Sequence, residues 1–320
     1  MRDGPIYVEM TGRLGNQMFR YAFARWLQSK GATDEALVMD FSLVTGEKRR
    51  EEMSGWEDSL QHFRVRPYSE YNKEGRIIMN ETSFLEKLIL GILKAADKVI
   101  GDRPLRRIAI RKPFLPILNR HGIYHMFVGY DYPYRWVPGR KLVCGPFECA
   151  RYCEEIRDML LEEFVPKYPL REENENLMRQ IESNNSVCIT VRRGNFLEYP
   201  VLNVCTKYYF EQAARKMLDL VDQPLFVVFS DDVEWAKRNL RIPGEALYES
   251  GCDPVWEKLR LMYSCKHFII SNSTFSWWAQ FLGRHPEKIV IAPDHWFNSE
   301  YQPPLYERGW ILQSVEEGQP

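Results

Sequence analysis

Along the second half of the chain, short runs of apolar residues alternate with segments whose apolar residues recur every three to four positions. The short runs predict buried strands, and the longer period predicts amphipathic helices. The predicted strands are residues 187–191, 225–229, 267–270 and 288–292, and the predicted helices are residues 206–220, 232–240, 254–264 and 275–282. This alternation predicts a parallel, doubly wound α/β sheet, which binds ligands at the carboxyl ends of its strands.

The first half opens with the pattern of a strand, a glycine loop and a helix. Thr82 or Ser83 is the candidate cap of a further helix. A proline-rich stretch at residues 165–169 predicts a linker, and the length of 320 residues is suited to two domains. The elements predicted for this half are strands at residues 6–10 and 36–40 and helices at residues 17–30, 84–100 and 148–164.

Charge and cysteine content narrow the class of protein. The formal net charge of −1 shows no bulk basic excess, so nucleic acid is not an expected partner. The seven cysteines are an odd number without a C-x-x-C pair, which favours free thiols in a reducing compartment over structural zinc. The chain shows neither a signal peptide nor an apolar stretch of membrane-spanning length, and we therefore expect a cytoplasmic protein.

A basic stretch runs from Arg103 to Lys112. Its ordinary interpretation is a solvated surface. The alternative is peripheral contact with the inner face of an anionic membrane that carries a lipid-linked acceptor.

Two of the candidate motifs combine glycine with groups that bind anions. Residues 12–19 read GRLGNQMF, so two glycines precede a helix whose N-terminus suits an anion, and Asn16 is a candidate helix cap. Residues 190–195 read TVRRGN, and Arg192 and Arg193 leave the end of an apolar strand. A guanidinium group matches phosphate oxygens with a bidentate fork, although an ion pair with an acidic neighbour is the simpler alternative.

Two further motifs follow predicted strands. Residues 230–232 read SDD, which is common at a helix N-cap but also fits a carboxylate that binds guanine or a metal ion. Residues 271–278 read SNSTFSWW, where small polar residues open a helix and predict a phosphate cradle. The aromatic residues of this segment are either walls of the site or core. The six histidines show no metal-ligand spacing.

These four segments, in this order, resemble glycosyltransferase family 11, the α-1,2-fucosyltransferases. The opening loop of the family is similar to residues 12–19, its H-x-R-R-G-D motif aligns with residues 190–195, and its S-N-S-T-F-S-W-W segment stands at residues 271–278. Residues 144–148 are also similar to a family segment. In this chain Thr190 stands in place of the motif's histidine and Asn195 in place of its aspartate.

The resemblance implies an α/β protein of GT-B-like architecture, with two Rossmann-like domains facing a cleft. Residues 1–165 are then the mainly acceptor-binding domain and residues 166–320 the domain that binds the GDP-sugar donor. The implied reaction is inverting transfer of L-fucose from GDP-β-L-fucose to a glycan hydroxyl, with no cofactor and no metal. The alternatives are a transferase that uses another nucleotide sugar and a catalytically silent binding relative.

The resemblance also implies roles for individual residues. Arg192 matches the arginine that holds the donor diphosphate in related fucosyltransferases. Glu198 follows the arginine pair and is our candidate general base, which apolar neighbours are expected to shield from water. The alternative is a solvent-exposed glutamate or one paired with Arg193. The candidate donor-binding residues are Gly15, Asn16, Arg193, Asn195, Asp231, Asp232, Ser273, Thr274, Phe275 and Ser276.

Overall fold

The computed structural model describes residues 4–31, 35–45, 56–101 and 103–317. The chain divides into two compact units. The N-terminal unit comprises Met1–Gln61, Val65–Glu163 and Pro303–Leu305, and the C-terminal unit comprises His62–Arg64, Phe164–Gln302 and Tyr306–Pro320. Each unit contains a parallel sheet whose strands are connected by helices, which confirms the prediction of two Rossmann-like domains. Their assignment to acceptor and donor stays a prediction.

The strands of the described residues are short in the N-terminal unit and longer in the centre of the C-terminal sheet. They are β1 (Ile6–Glu9), β2 (Leu37–Asp40), β3 (Ser69–Glu70), β4 (Ile123–His125), β5 (Lys141–Cys144), β6 (Asn185–Val191), β7 (Pro224–Ser230), β8 (Ala246–Tyr248), β9 (His267–Ile269), β10 (Val290–Pro293) and β11 (Ile311–Gln313).

The α-helices within the same ranges are α1 (Leu14–Lys30), α2 (Ser42–Thr45), α3 (Ile77–Asn80), α4 (Phe84–Ile100), α5 (Pro104–Arg111), α6 (Leu115–Arg120), α7 (Ala150–Glu154), α8 (Arg157–Glu163), α9 (Glu175–Ser183), α10 (Lys207–Leu220), α11 (Val233–Asn239), α12 (Val255–Ser264) and α13 (Thr274–Leu282). Ser83 caps α4 in a capping box with Glu86, and Thr206 caps α10, so both predicted helix starts are confirmed. The helix predicted at residues 148–164 is instead divided into α7 and α8.

The N-terminal sheet has the strand order β3-β2-β1-β5-β4, and all its strand pairs are parallel. The chain moves from β1 through α1 to β2 on one side of β1, whereas β5 lies on the other side. The strand order therefore reverses between β1 and β5, and in such sheets the loops that follow these two strands form the usual ligand-binding edge. These loops contain Gly12 and Glu148.

Helix α1 lies deep in the N-terminal unit, with 14 of its 17 residues buried. Phe23 stacks on Phe147 with ring centroids 3.9 Å apart, and Tyr152 meets the Phe23 ring edge-on. Arg25 of this buried helix forms an ion pair of 2.6 Å with Glu163 at the end of α8. The unit therefore packs around the helix that carries the glycine loop.

The C-terminal sheet has the order β11-β10-β9-β6-β7-β8, again with parallel pairs. Strand β7 is buried along its whole length and β6 over six of its seven residues, because both faces of the sheet are covered by helices. The chain passes from β6 outward to β7 and β8 and then returns to β9 on the other side of β6. The order reverses between β6 and β9, which places the site-forming loops after these two strands.

The basic stretch from Arg103 to Lys112 is not a uniformly solvated surface. The Arg111 side chain is 3% exposed and pairs with Asp97 of α4, and Arg107 lies 3.7 Å from the same carboxylate. Both guanidinium groups also lie over the ring of Phe127. Only part of the predicted membrane-contact stretch is therefore available at the surface. Within the described ranges, no helix is both long and apolar enough to span a bilayer.

Candidate active site

The two consecutive arginines leave the carboxyl end of β6 and turn toward the adjacent strand β7. Arg192 Nη1 lies 2.5 Å from Asp231 Oδ2, and Arg192 Nη2 donates to Asn195 Oδ1 at 2.5 Å. Arg193 Nε lies 3.4 Å from Asp232 Oδ2, and its guanidinium stacks 3.6 Å from the centre of the Trp235 ring. Each arginine thus forms an ion pair with an aspartate. This agrees with the simpler interpretation of the TVRRGN motif, an ion pair with an acidic neighbour.

Asp231 organises this turn from the end of β7. In addition to Arg192, its carboxylate accepts a hydrogen bond of 2.8 Å from the Arg193 backbone N–H. Gly194 has a φ of +24°, and a Cβ at this position would lie only 2.6 Å from Asp231 Oδ2. Glycine is required here because the backbone passes directly against the carboxylate that holds Arg192.

Asp232 is the N-cap of helix α11, which is the ordinary role considered for the SDD motif. Its Oδ1 accepts a hydrogen bond of 3.1 Å from the backbone N–H of Trp235 at the start of α11. Its other oxygen faces Arg193. Both carboxylates of the motif are therefore engaged by arginine or backbone donors. Among the residues that the structure describes, no group of three His, Cys, Asp or Glu side chains is arranged to hold a metal.

The two departures from the family motif have structural explanations. Thr190 is buried, and its hydroxyl accepts a hydrogen bond of 3.0 Å from the backbone N–H of Ser271, so it joins the ends of β6 and β9. Asn195 uses its side-chain oxygen to orient Arg192, a contact that needs a hydrogen-bond acceptor but no charge. The threonine is thus a structural link at the switch point of the sheet.

The segment after β9 is buried more deeply than a phosphate cradle was expected to be. The hydroxyls of Ser271 and Ser276 lie 3.0 Å apart, and both residues are buried. Ser273 caps α13 by accepting from the Phe275 backbone N–H at 3.3 Å. Among the candidate residues of this segment, Thr274 and Phe275 are partly exposed at the start of the helix.

The adjacent tryptophans belong to the core. Trp277 and Trp278 are both fully buried and pack against Phe281, with ring centroids 4.9 and 5.3 Å away. Trp278 also meets Phe164 edge-on at 5.0 Å. Of the aromatic residues in this segment, Phe275 therefore remains the candidate to line the site.

Glu198 ends a short 3₁₀ turn, Gly194–Glu198, that begins directly after the arginines. Its side chain is exposed, so the expected shielding from water by Phe196 and Leu197 does not occur. The reason is local, because Phe196 turns toward the Arg192 guanidinium, 5.2 Å from its ring centre, and Leu197 is itself exposed. A role for Glu198 as base stays a prediction.

The glycine loop of the N-terminal unit has a different geometry from the predicted one. Gly12 has a φ of +76°, and helix α1 begins at Leu14, with Arg13 in the N-cap position. Asn16 therefore lies inside the first turn, so the prediction that it caps the helix is wrong. Gly15 beside it is buried. The loop is held by Gln17, whose side-chain amide donates to the Gly12 carbonyl at 3.0 Å.

An arginine and a glutamate that influence each other electrostatically beside this loop were not predicted. Arg20 of α1 is 5% exposed, and its Nη1 donates to the Asn16 carbonyl at 3.0 Å. Burial lowers the pKa of Arg20 to about 10, an effect that Glu148 opposes. Burial also raises the pKa of Glu148, and Arg20 lowers it. A carboxylate with a raised pKa and an arginine thus stand at the switch point of the N-terminal sheet.

Comparison with known proteins decides the family. The family model of glycosyl transferase family 11 matches residues 114–314. The chain belongs to glycosyltransferase family 11. This match covers β6, the arginine turn and the segment after β9, which are the elements that build the candidate site.

Relatives of this glycosyltransferase occur in bacteria and in animals. It is 27% identical to the O-antigen biosynthesis glycosyltransferase WbnK of Escherichia coli, over 96% of this chain and 99% of that protein. It is 31% identical to an α-1,2-colitosyltransferase of Escherichia coli, over 49% of this chain and 56% of that one. It is 28% identical to the galactoside 2-α-L-fucosyltransferase SEC1 of Bos taurus, over 50% and 47% of the two chains. The chain spans about half the length of the last two.

Solved structures support the fold of this glycosyltransferase. The fucosyltransferase NodZ from Bradyrhizobium superposes with a TM-score of 0.52 at 14% identity, over 88% of this chain and 94% of NodZ. A NodZ α-1,6-fucosyltransferase crystal soaked with GDP-fucose superposes with a TM-score of 0.52 at 12% identity, over 91% and 95% of the chains. At this identity the likeness concerns the fold, and it confirms the GT-B-like class.

The arginine turn of this glycosyltransferase is predictable from its sequence, whereas the contacts of Arg20 and Glu148 are not. Glu148 lies in the segment at residues 144–148 that resembles the family, but the sequence assigns it no role. The signal for Arg20 is a charged residue in a helical segment that is otherwise predominantly apolar, since a buried charge requires a partner.

Proposed function

We propose that this glycosyltransferase transfers L-fucose from GDP-β-L-fucose to a glycan hydroxyl with inversion, forming an α-1,2 linkage. The observation that carries the proposal is the Arg192 guanidinium at the carboxyl end of β6, oriented by Asp231 and Asn195. The family and the names of the α-1,2-fucosyl relatives support this linkage type. NodZ, which has been soaked with GDP-fucose, supports the donor.

The chemical role of Arg192 follows from the charge that develops in the reaction. In a single displacement the acceptor oxygen attacks the anomeric carbon while the bond to the diphosphate breaks, so negative charge accumulates on the leaving phosphate. A fork of two N–H donors that is already oriented stabilises this charge more in the transition state than in the ground state. Asp231 holds one arm of the fork and Asn195 the other, so the fork is oriented before the donor binds.

The helix α13 adds a second source of positive potential. Its N-terminus follows β9, and Ser273 already occupies the cap, so the donor is expected to meet Thr274 and Phe275. A helix N-terminus stabilises an anion through its free N–H groups and its dipole. With arginine and helix together neutralising the diphosphate, we propose that transfer requires neither metal nor cofactor.

We expect GDP and GDP-fucose to raise the melting temperature well above the effect of UDP, CMP or ADP. A ligand at a hundredfold excess over its Kd adds about 2.7 kcal/mol to the free energy of unfolding. Differential scanning fluorimetry with each nucleotide, in buffer with and without EDTA, measures this. Equal stabilisation by UDP would reject the guanine assignment, and stabilisation that EDTA removes would reject a metal-free site.

A second donor sugar is favoured by one observation. The relative that is 31% identical is named a colitosyltransferase, so activated colitose belongs in the assay beside GDP-fucose. Product formation on an array of acceptor sugars, followed by linkage analysis, assigns donor and linkage together. Transfer of colitose alone would overturn the fucose assignment and leave the family assignment intact.

We predict that Glu198→Gln lowers kcat by about 10²-fold, the low end of what a positioned general base contributes. GDP affinity should remain unchanged, because Glu198 lies outside the arginine contacts. The acidic limb of the kcat pH profile should also disappear.

The matched variant for this test is Glu148→Gln. Glu148 is the carboxylate of the N-terminal unit whose pKa is raised by burial. If Glu198→Gln keeps its rate and its acidic limb while Glu148→Gln loses both, the base is Glu148 and the assignment of Glu198 is wrong. A loss confined to Glu198→Gln supports the proposal.

A further inference from the structure

Helix α4 carries large apolar side chains on its outer face. Leu85, Leu88, Ile92 and Val99 have exposed fractions of 55%, 51%, 50% and 87%. We call these four residues the outer stripe. Their spacing of three, four and seven places them along one face of the helix. An apolar face that covers four turns of a well-formed helix indicates an interaction surface rather than scattered surface residues.

The opposite face of α4 is firmly attached to the N-terminal unit. Leu93 is buried in a core cluster with Leu118, Ile123 and Leu142. The helix therefore already has its intramolecular partner, and the outer stripe is not the side that the fold of this unit uses.

The acidic groups of α4 are also turned inward. Glu86 accepts from the Ser83 backbone N–H at 2.7 Å and from Arg140 at 3.1 Å. Asp97 is paired with Arg107 and Arg111. Neither carboxylate offsets positive charge at the outer surface.

Basic side chains flank the outer stripe. Lys87, Lys94 and Lys98 are exposed, and their spacing of seven and four sets them in a row beside the apolar residues. Residues 84–120 contain nine basic and three acidic residues, whereas the whole chain has a formal net charge of −1. The segment therefore carries an excess of six positive charges, and the remainder of the chain carries a net charge of −7.

We propose that this face of α4 docks on an anionic phospholipid membrane, with the outer stripe in the interfacial region and the lysine row against the lipid phosphates. An interfacial helix combines an apolar stripe with lysine or arginine on its polar side, and lysine stems extend their ammonium groups to the headgroups. Leu105 and Ile110 of α5, the helix that packs against α4, are also exposed. The basic residues at this surface thus act together with an apolar helix face.

The charge of the segment argues against a second copy of this chain as the occupant. In a two-fold symmetric contact the same patch meets itself, so the excess positive charge of one copy would lie against that of the other. Like charges in contact are unfavourable, whereas an anionic lipid surface is complementary to them.

The test is co-flotation of the full chain with vesicles of phosphatidylcholine, with and without phosphatidylglycerol, at low and high salt. We expect flotation with the anionic vesicles and its weakening in high salt. Lys94→Glu combined with Lys98→Glu should weaken binding by about tenfold or more. Leu88→Ser combined with Ile92→Ser should weaken it to a similar extent. No sugar donor is involved, so the result is independent of the proposed reaction.

Matched controls carry the same changes on helix α10 of the C-terminal unit. Leu218→Ser with Leu220→Ser alters two comparably exposed apolar residues, and Arg215→Glu with Lys216→Glu alters two exposed charges. Each variant is first shown to keep the wild-type melting temperature. Controls that float like the wild type, beside α4 variants that do not, support the proposal. Absence of wild-type flotation, or a dimer in light scattering that only the α4 variants abolish, would overturn it.

Discussion

Arg192→Ala is expected to lower kcat by about 10²- to 10³-fold, the effect of removing one preorganised donor to a transition-state oxyanion. The side chain is fixed before the donor binds, because Asp231 and Asn195 each hold one nitrogen of its fork. Stopped or continuous assays of GDP release with saturating acceptor measure this change directly.

Arg192→Lys separates a fork from a point charge. A single ammonium group cannot replace two parallel N–H donors, so this variant should recover little of the lost rate. Arg193→Ala is the matched control, since its guanidinium is stacked on Trp235 and paired with Asp232. If Arg192→Ala works at nearly the wild-type rate while Arg193→Ala does not, the diphosphate role belongs to Arg193.

Asp231→Asn tests the residue that positions the fork. The amide keeps the shape of the carboxylate but loses its charge, so Arg192 should be held less firmly while the Gly194 turn still fits. We therefore expect a lower kcat with nearly unchanged GDP affinity. A variant that loses stability instead of kcat would assign Asp231 to the fold alone.

The arginine turn was predictable because parallel topology determines which loops meet. Val191 and Ser230 are register partners at the ends of β6 and β7, so the residues that follow them must lie side by side. An arginine after one strand and an aspartate after its neighbour then form a pair, although 39 positions separate Arg192 from Asp231. The hydrophobic pattern indicated this topology from the alternation of strands and helices.

The remaining contacts lacked such a signal. Asn16 has a side chain suited to capping, but the helix begins three residues before its predicted start. The start of the helix is determined by the backbone turn at Gly12. The burial of Ser271 and Ser276 depends on how α13 packs, which small polar residues do not indicate. The exposed stripe of α4 resembles an ordinary core face in sequence, because periodicity does not indicate which apolar face the fold leaves uncovered.

Strand β5 shows the same limit in the N-terminal unit. It reads KLVC and pairs with both β1 and β4, yet its first residue is a lysine, so the apolar run is too short to stand out. Lys141 is nevertheless fully buried in this strand. It forms an ion pair with Glu35, and both side chains are inaccessible to solvent. A tertiary contact therefore makes a strand of a segment that local patterning leaves undefined.

This ion pair leads to the second large expected effect, which is on stability. Lys141→Met leaves the Glu35 carboxylate without its cation in the interior, and breaking a buried pair in this way costs about 3–5 kcal/mol in the free energy of unfolding. Lys141 also donates to the Gly139 carbonyl at 3.0 Å and lies 4.7 Å from the Trp136 ring centre, contacts that methionine cannot fully replace.

The double variant Lys141→Met/Glu35→Leu distinguishes the lost pair from lost packing. Replacing both charges by apolar side chains is often neutral, because the cost of removing two charges from water disappears together with their attraction. We therefore expect the double variant to be clearly more stable than Lys141→Met. Hydrogen exchange of peptides from β1, β2 and β5 in denaturant reports on this sheet alone, which matters because a chain of two units need not unfold in a single step.

Lys237→Met is the surface control, since its ion pair with Glu234 is solvent-exposed and should contribute no more than about 0.5 kcal/mol. A double variant as unstable as Lys141→Met would show that the lysine supports β5 through Trp136 and Gly139 and not through its charge. Recovery in the double variant would instead show that the unit tolerates an apolar pair at the start of β5. The natural pair would then specify the register of β5 against β1, because a strand shifted by one residue would place Lys141 on the other face, away from Glu35.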